Sequence, residues 1–166
     1  RSPLPRPHRF RPGPPPFLDA ALVKAHAANT PVALILCDID RFKLINDSHG
    51  HGFGDDFLLK VASRLRRSIR PLDLVARIGG DTCALTLDDL ARGEDAAEML
   101  LHSVFEALDQ PFRVDSQDVR ISTLAGLALY PADGSDAETL LKPAEAALKN
   151  AKLSGEPYLF YAPRLT

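Results

Sequence analysis

The sequence predicts an α+β fold, a mainly antiparallel central sheet flanked by helices, and three observations carry that prediction. A continuous apolar run at 32–37 is what a strand covered on both faces requires. Two short apolar runs, 74–78 and 83–87, flank a Gly79-Gly80-Asp81 turn and read as a hairpin. Three segments, 57–69, 94–108 and 136–153, carry apolar residues at helical spacing. Strands that return through hairpins and helices that each own one apolar stripe pack as a sheet against helices.

The chain has 166 residues, enough for one domain with its own core, and 45% apolar and 25% charged residues are ordinary for a soluble globular protein. A net charge of −2 gives no reason to expect nucleic acid or a membrane surface as a partner. No apolar run approaches the ~18 residues of a membrane span. The basic start lacks the apolar stretch of a signal peptide, so a cytoplasmic protein is expected. Cys37 and Cys83 both fall in apolar strand-like runs and read as reduced core residues, not as a disulfide pair.

Seven of the 14 prolines fall within residues 1–16, mixed with Arg1, Arg6, Arg9 and Arg11. This predicts an extended Pro/Arg-rich linker, with the folded domain over 17–166. A short amphipathic helix is expected over 17–28, stopped by Pro31. After the strand at 32–37, turn formers over 46–55 lead into a helix with Phe57, Val61, Leu65 and Ile69 on one face. Arg64, Arg66 and Arg67 lie off that face and are expected in solvent. In the next helix Ala97, Leu101, Val104, Phe105 and Leu108 point inward. Residues 111–115 and 118–129 read as a second hairpin, with Val119, Ile121, Thr123 and Ala125 alternating. Ser135 and Glu138 read as a capping box opening a helix over 136–153, which Pro143 should kink. A last strand is expected over 158–161.

Chemistry concentrates at the end of the first strand. Carboxylates at Asp38 and Asp40, two apart on an extended chain, face one side, and buried there they need a partner. A hard cation such as Mg²⁺ is one such partner; a helix N-cap by Asp40 is the other reading. The Gly-Gly-Asp turn leaves room for an anion to approach the backbone, or is simply a turn.

The series Asp38-x-Asp40-x-Phe42-Lys43-x-Ile45-Asn46-Asp47-x-x-Gly50-His51-x-x-Gly54-Asp55, Arg70-x-x-Asp73, Arg77-x-Gly79-Gly80-Asp81, Gly126-x-Ala128-x-Tyr130-Pro131 and Ala151-Lys152 resembles, in order and spacing, the GGDEF domain of diguanylate cyclases. The resemblance covers about residues 31–161 and implies a fold like the adenylate cyclase and polymerase palm. It implies a reaction in which two GTP-loaded domains face each other and each 3′-hydroxyl attacks the other's α-phosphate. It assigns Asp38, the Ile39 carbonyl and Asp81 to Mg²⁺. Asn46 and Asp55, with His51 nearby, are assigned to guanine, and Lys43 and Lys152 to the phosphates. Arg70 and Asp73 stand where the family's inhibitory cyclic di-GMP site lies; by chemistry alone they also suit a surface ion pair.

The departures are as specific. The family's Glu and Phe after Gly-Gly-Asp are Thr82 and Cys83 here, Glu156 replaces a phosphate-binding Arg, and Lys149 replaces a Tyr. The family's opening motif is also missing. The signature Gly79, Gly80, Asp81, Thr82, Cys83 is thus degenerate, and no catalytic residue is assigned. The expected function is a catalytically inactive regulatory domain that binds GTP or cyclic di-GMP, or a scaffold, within a larger protein. A weakly active cyclase and a purely structural dimerisation or protein-binding module are the alternatives. The tail Tyr158-Leu-Phe-Tyr-Ala-Pro163 resembles the junction into an EAL phosphodiesterase domain, so a fused EAL or sensory partner and a homodimer are further expectations.

Overall fold

Strand β1 (Val32–Ile39) is buried along its whole length, and the rest of the protein is assembled on it. The structure is a computed structural model that describes residues 14, 16–40, 42–49, 52–68, 74–78, 82–87 and 94–162. The other described elements are α1 (Pro16–Ala28), α2 (Phe42–His49), α3 (Phe53–Ser68), β2 (Leu74–Ile78), β3 (Thr82–Leu87), α4 (Glu94–Leu108), β4 (Phe112–Val114), β5 (Gln117–Val119), β6 (Thr123–Tyr130), α5 (Ala137–Ser154) and β7 (Tyr158–Phe160). The five-stranded sheet runs β2-β3-β1-β6-β7, with β4 and β5 in a separate ribbon. Every pair in the sheet is antiparallel except β6 with β7, which is parallel.

The alternation of a strand divides the core in two. Odd positions of β1 (Ile35, Cys37, Ile39) pack with Phe57 and Leu65 of α3 and Leu101 of α4. Even positions (Leu34, Leu36) pack with Leu18 and Leu22 of α1 and Leu140 and Leu148 of α5. A central strand covered on both faces must be apolar throughout, and the unbroken run at 32–37 reflects that. Gly126 of β6 lets α5 lie directly on the sheet: a Cβ there would meet the Leu148 nitrogen at 2.2 Å and the Ala144 oxygen at 2.5 Å.

Three expectations are corrected. The strand expected over 118–129 is two: β5 pairs with β4 (Phe112↔Val119), and β6 pairs with β1 (Val32↔Tyr130). Ile121, between them, is buried, so the alternation continues across the break and hides it. The last helix is capped by Asp136 with Thr139, not by Ser135 with Glu138; the carboxylate accepts from the Thr139 N–H at 2.8 Å. That helix runs unbroken through Pro143. Arg64 is not left to solvent: it donates to the carbonyls of Ala107 (3.2 Å), Gln110 (2.6 Å) and Pro111 (2.9 Å) and lies 3.5 Å from the centre of the Phe112 ring. It ties α3 to the turn after α4, and burial, then Arg67, lowers its pKa. The expected inward position of Ile69 lies outside the described residues.

Cys37 and Cys83 are buried and neither is in a disulfide. Burial, then Cys83 and Asp38, pushes the Cys37 thiol above its ordinary value. Among the described residues no helix is long and apolar enough to cross a membrane.

Candidate functional site

The carboxylate of Asp38 is the buried charge around which the site is built, and two elements supply its partners. Asp38 lies directly opposite Thr82 across the β1–β3 pair, and the Thr82 hydroxyl donates to its Oδ1. The ammonium of Lys152 on α5 donates to its Oδ2 and forms an ion pair with it. The close seat of α5 on Gly126 brings Lys152 there, since Leu148, at that contact, is one helical turn before it. A buried carboxylate needs such partners, because an uncompensated charge in the core costs several kcal/mol.

In this arrangement Asp38 is committed to protein partners and not left open to a Mg²⁺ ion. The ion needs anionic oxygens that are free to coordinate, yet both oxygens of Asp38 are engaged and Lys152 already balances its charge. Thr82 offers a hydroxyl where a second acid would help. Among the described residues no group of three or more His, Cys, Asp or Glu side chains is placed to hold a metal. Ile39 ends β1, buried opposite Thr123. Asp81, the other expected ligand, lies outside the described residues, as do Gly79, Gly80, His51, Arg70 and Asp73. Asp40, unlike Asp38, is exposed; its N–H donates to the Ser122 carbonyl at 2.8 Å.

Two of the residues expected at guanine, Asn46 and Asp55, lie on α2 and α3. Asn46 is half-buried on α2, and its Oδ1 is buried without a hydrogen-bond partner among the described residues. Gly54 of α3 lies against it: a Cβ at that position would stand 2.6 Å from Oδ1 and 3.2 Å from Phe42. Glycine here is a requirement of close approach. The next residue, Asp55, is exposed in the first turn of α3, where a carboxylate also complements the helix dipole. Lys43 is exposed on α2, one turn before Asn46. A cleft of about 530 Å³ runs beside α2, lined by Asp40, Leu44, Ile45, Ser48, His49 and the 119–122 segment.

Cys83 is buried in the core. Glu156 and Lys149 are exposed. Sequence reasoning assigned Asp38 to a metal and Lys152 to phosphate; it missed that they pair, because 114 positions separate them and opposite charges carry no signal over that distance. It also missed Tyr158, whose hydroxyl donates to Glu98 at 2.6 Å and lies 3.3 Å from His102; the bond to Glu98, ahead of burial, raises the tyrosine pKa.

The family model described as "Diguanylate cyclase, GGDEF domain" matches residues 15–157. The chain is 37% identical over 145 residues to the bifunctional diguanylate cyclase/cyclic di-GMP phosphodiesterase MucR of Pseudomonas aeruginosa, covering 87% of this chain and 21% of that protein. It is 39% identical over 136 residues to the diguanylate cyclase TpbB of the same organism, covering 81% of this chain and 31% of TpbB. The chain therefore spans about a fifth to a third of these relatives' lengths. Its fold superposes on the crystal structure of the TpbB GGDEF domain with a TM-score of 0.82 at 34% identity, covering 88% of this chain and 91% of that one. An EAL/GGDEF domain protein from M. capsulatus gives a TM-score of 0.77 at 38% identity, covering 89% of this chain and 97% of that one.

Proposed function

The chain belongs to the GGDEF family of diguanylate cyclase domains, and from that premise we propose that it is a regulatory nucleotide-binding domain of cyclic di-GMP signalling that does not itself make the dinucleotide. The observation that carries this reading is the Asp38 carboxylate held between the Thr82 hydroxyl and the Lys152 ammonium. Phosphoryl transfer depends on positioned positive charge around the reacting phosphate. Here the lysine assigned to phosphate is paired to a carboxylate, the second acid is a threonine, and Glu156 adds negative charge. Losing one electrostatic group of this kind commonly costs about 10²–10³ in rate, so the acid lost at Thr82 and the charge reversed at Glu156 together put turnover below detection.

Nucleotide recognition is better supported than turnover. The Asn46 oxygen has no donor among the described residues, and guanine offers N–H donors on the edge that Asn and Asp side chains read. The relatives' names attach both synthesis and breakdown of cyclic di-GMP to chains longer than this one, which suits a regulatory domain beside a phosphodiesterase or sensory partner.

The test is incubation with GTP and excess Mg²⁺, read by chromatography for cyclic di-GMP, beside a calorimetric titration with GTP. No product is expected, with weak GTP binding that falls further in Asn46→Ala and Asp55→Ala. Product at about 1 s⁻¹ or faster, the ordinary range for an enzyme, overturns the reading. GTP bound equally well by both variants places the nucleotide elsewhere.

A further inference from the structure

One rung of the β1–β3 pair inward from Asp38 and Thr82, Cys37 stands directly opposite Cys83. Directly opposed residues in an antiparallel pair project to the same face, with Cα atoms about 4.5–5.5 Å apart. Both cysteines belong to the same core cluster, on the face covered by α3 and α4. A disulfide spans Cα separations of about 4.4–6.8 Å, so the register already brings the two residues within bridging distance. Their 46-residue separation in sequence gave no hint of this, and burial alone suggested two unrelated core thiols.

We propose that Cys37 and Cys83 are a redox-modification site, a dithiol that a peroxide converts to an intramolecular cross-strand disulfide. In the first step one sulfur takes an oxygen from hydrogen peroxide, giving a sulfenic acid and a molecule of water. In the second, the opposed sulfur attacks that sulfur, the S–S bond forms, and the hydroxyl leaves with the remaining thiol proton as water. Two thiols are oxidised and one peroxide is reduced to two waters. Both sulfurs are buried, so reaction follows local opening of the strand pair and is slower than at an exposed reactive cysteine. The product clamps the strand that carries Asp38 to the strand that carries Thr82, one rung from their contact. This inference stands apart from the nucleotide reading and survives if that reading fails.

The experiment treats the reduced chain with hydrogen peroxide and reads intact mass, non-reducing peptide maps and thermal unfolding. The expected product has lost two hydrogens, yields a single linked peptide pair containing Cys37 and Cys83, and melts on the order of 5–10 °C higher. A thiol reductant restores the starting mass and melting temperature. Cys37→Ser and Cys83→Ser each abolish the linked pair, and the parent protein carries the test whether or not those variants fold well. Thiols that stay reduced, a bridge only between molecules, or oxidation to sulfinic acid without a linked pair would each overturn the proposal.

Discussion

Asp38 shows how one residue's partners decide what it does. A carboxylate at the buried end of a strand can be satisfied by a metal, a hydroxyl or an ammonium, and its type in the sequence is identical in each case. Here it has the hydroxyl of Thr82 and the ammonium of Lys152. Removing the ammonium leaves a buried charge with one neutral donor. Breaking a fully buried pair costs about 3–5 kcal/mol. The Lys152 side chain is 48% exposed, so water screens part of the loss and about 1–2 kcal/mol is expected for Lys152→Ala. Urea unfolding checks it, with Lys149→Ala, exposed on the same helix, as a control that should change stability by less than about 0.5 kcal/mol.

Helix α5 carries Lys152 to Asp38, and its two constraints are a close contact and a cap. The contact is Gly126, where an added Cβ meets helix backbone that no rotamer change can move. Gly126→Ala should therefore lift α5 from the sheet and destabilise the protein by about 3 kcal/mol, read as a lower melting temperature together with a weakened Lys152–Asp38 pair. The cap is Asp136. The backbone N–H of Thr139, and then its hydroxyl, hold the Asp136 carboxyl below its ordinary value of 3.8. Because the folded value is the lower one, the ionised cap's contribution is fully present above pH 3.8 and is lost as pH falls through the folded value. The stability gap between the parent protein and Asp136→Ala should stay constant near neutrality and narrow in acid. A gap that widens in acid would contradict the cap geometry.

For the whole molecule, the prediction concerns binding of cyclic di-GMP. Arg70 and Asp73 lie just beyond α3, outside the described residues. An arginine fork donates to O6 and N7 of guanine, a carboxylate accepts from N1 and N2, and such a bidentate arginine contact contributes about 1–3 kcal/mol of discrimination where it has been assessed. We expect cyclic di-GMP to bind through Arg70 and Asp73 and to draw two copies of the domain together. Arg70→Ala should abolish that binding and leave any GTP affinity unchanged. Calorimetry with each nucleotide, and sedimentation with and without cyclic di-GMP, decide it. Undiminished binding by the variant would remove Arg70 and Asp73 from the binding site.

The sequence by itself determined most of the elements. Apolar period separates helix from strand, turn formers mark the boundaries, and the spaced motifs place Asp38, Asn46, Gly54 and Asp55 in one family pattern. Those signals are local, each complete within a few residues. Tertiary structure alone decided the rest. It split 118–129 between a ribbon and the central sheet, since alternation runs on through buried Ile121 while hydrogen-bonding partners change. It turned Arg64 from solvent to the carbonyls after α4, and it paired Cys37 with Cys83 and Asp38 with Lys152. Each of these depends on register or on a helix's seat on the sheet. Both are set by the packing of distant segments, which leaves no periodic trace in the chain.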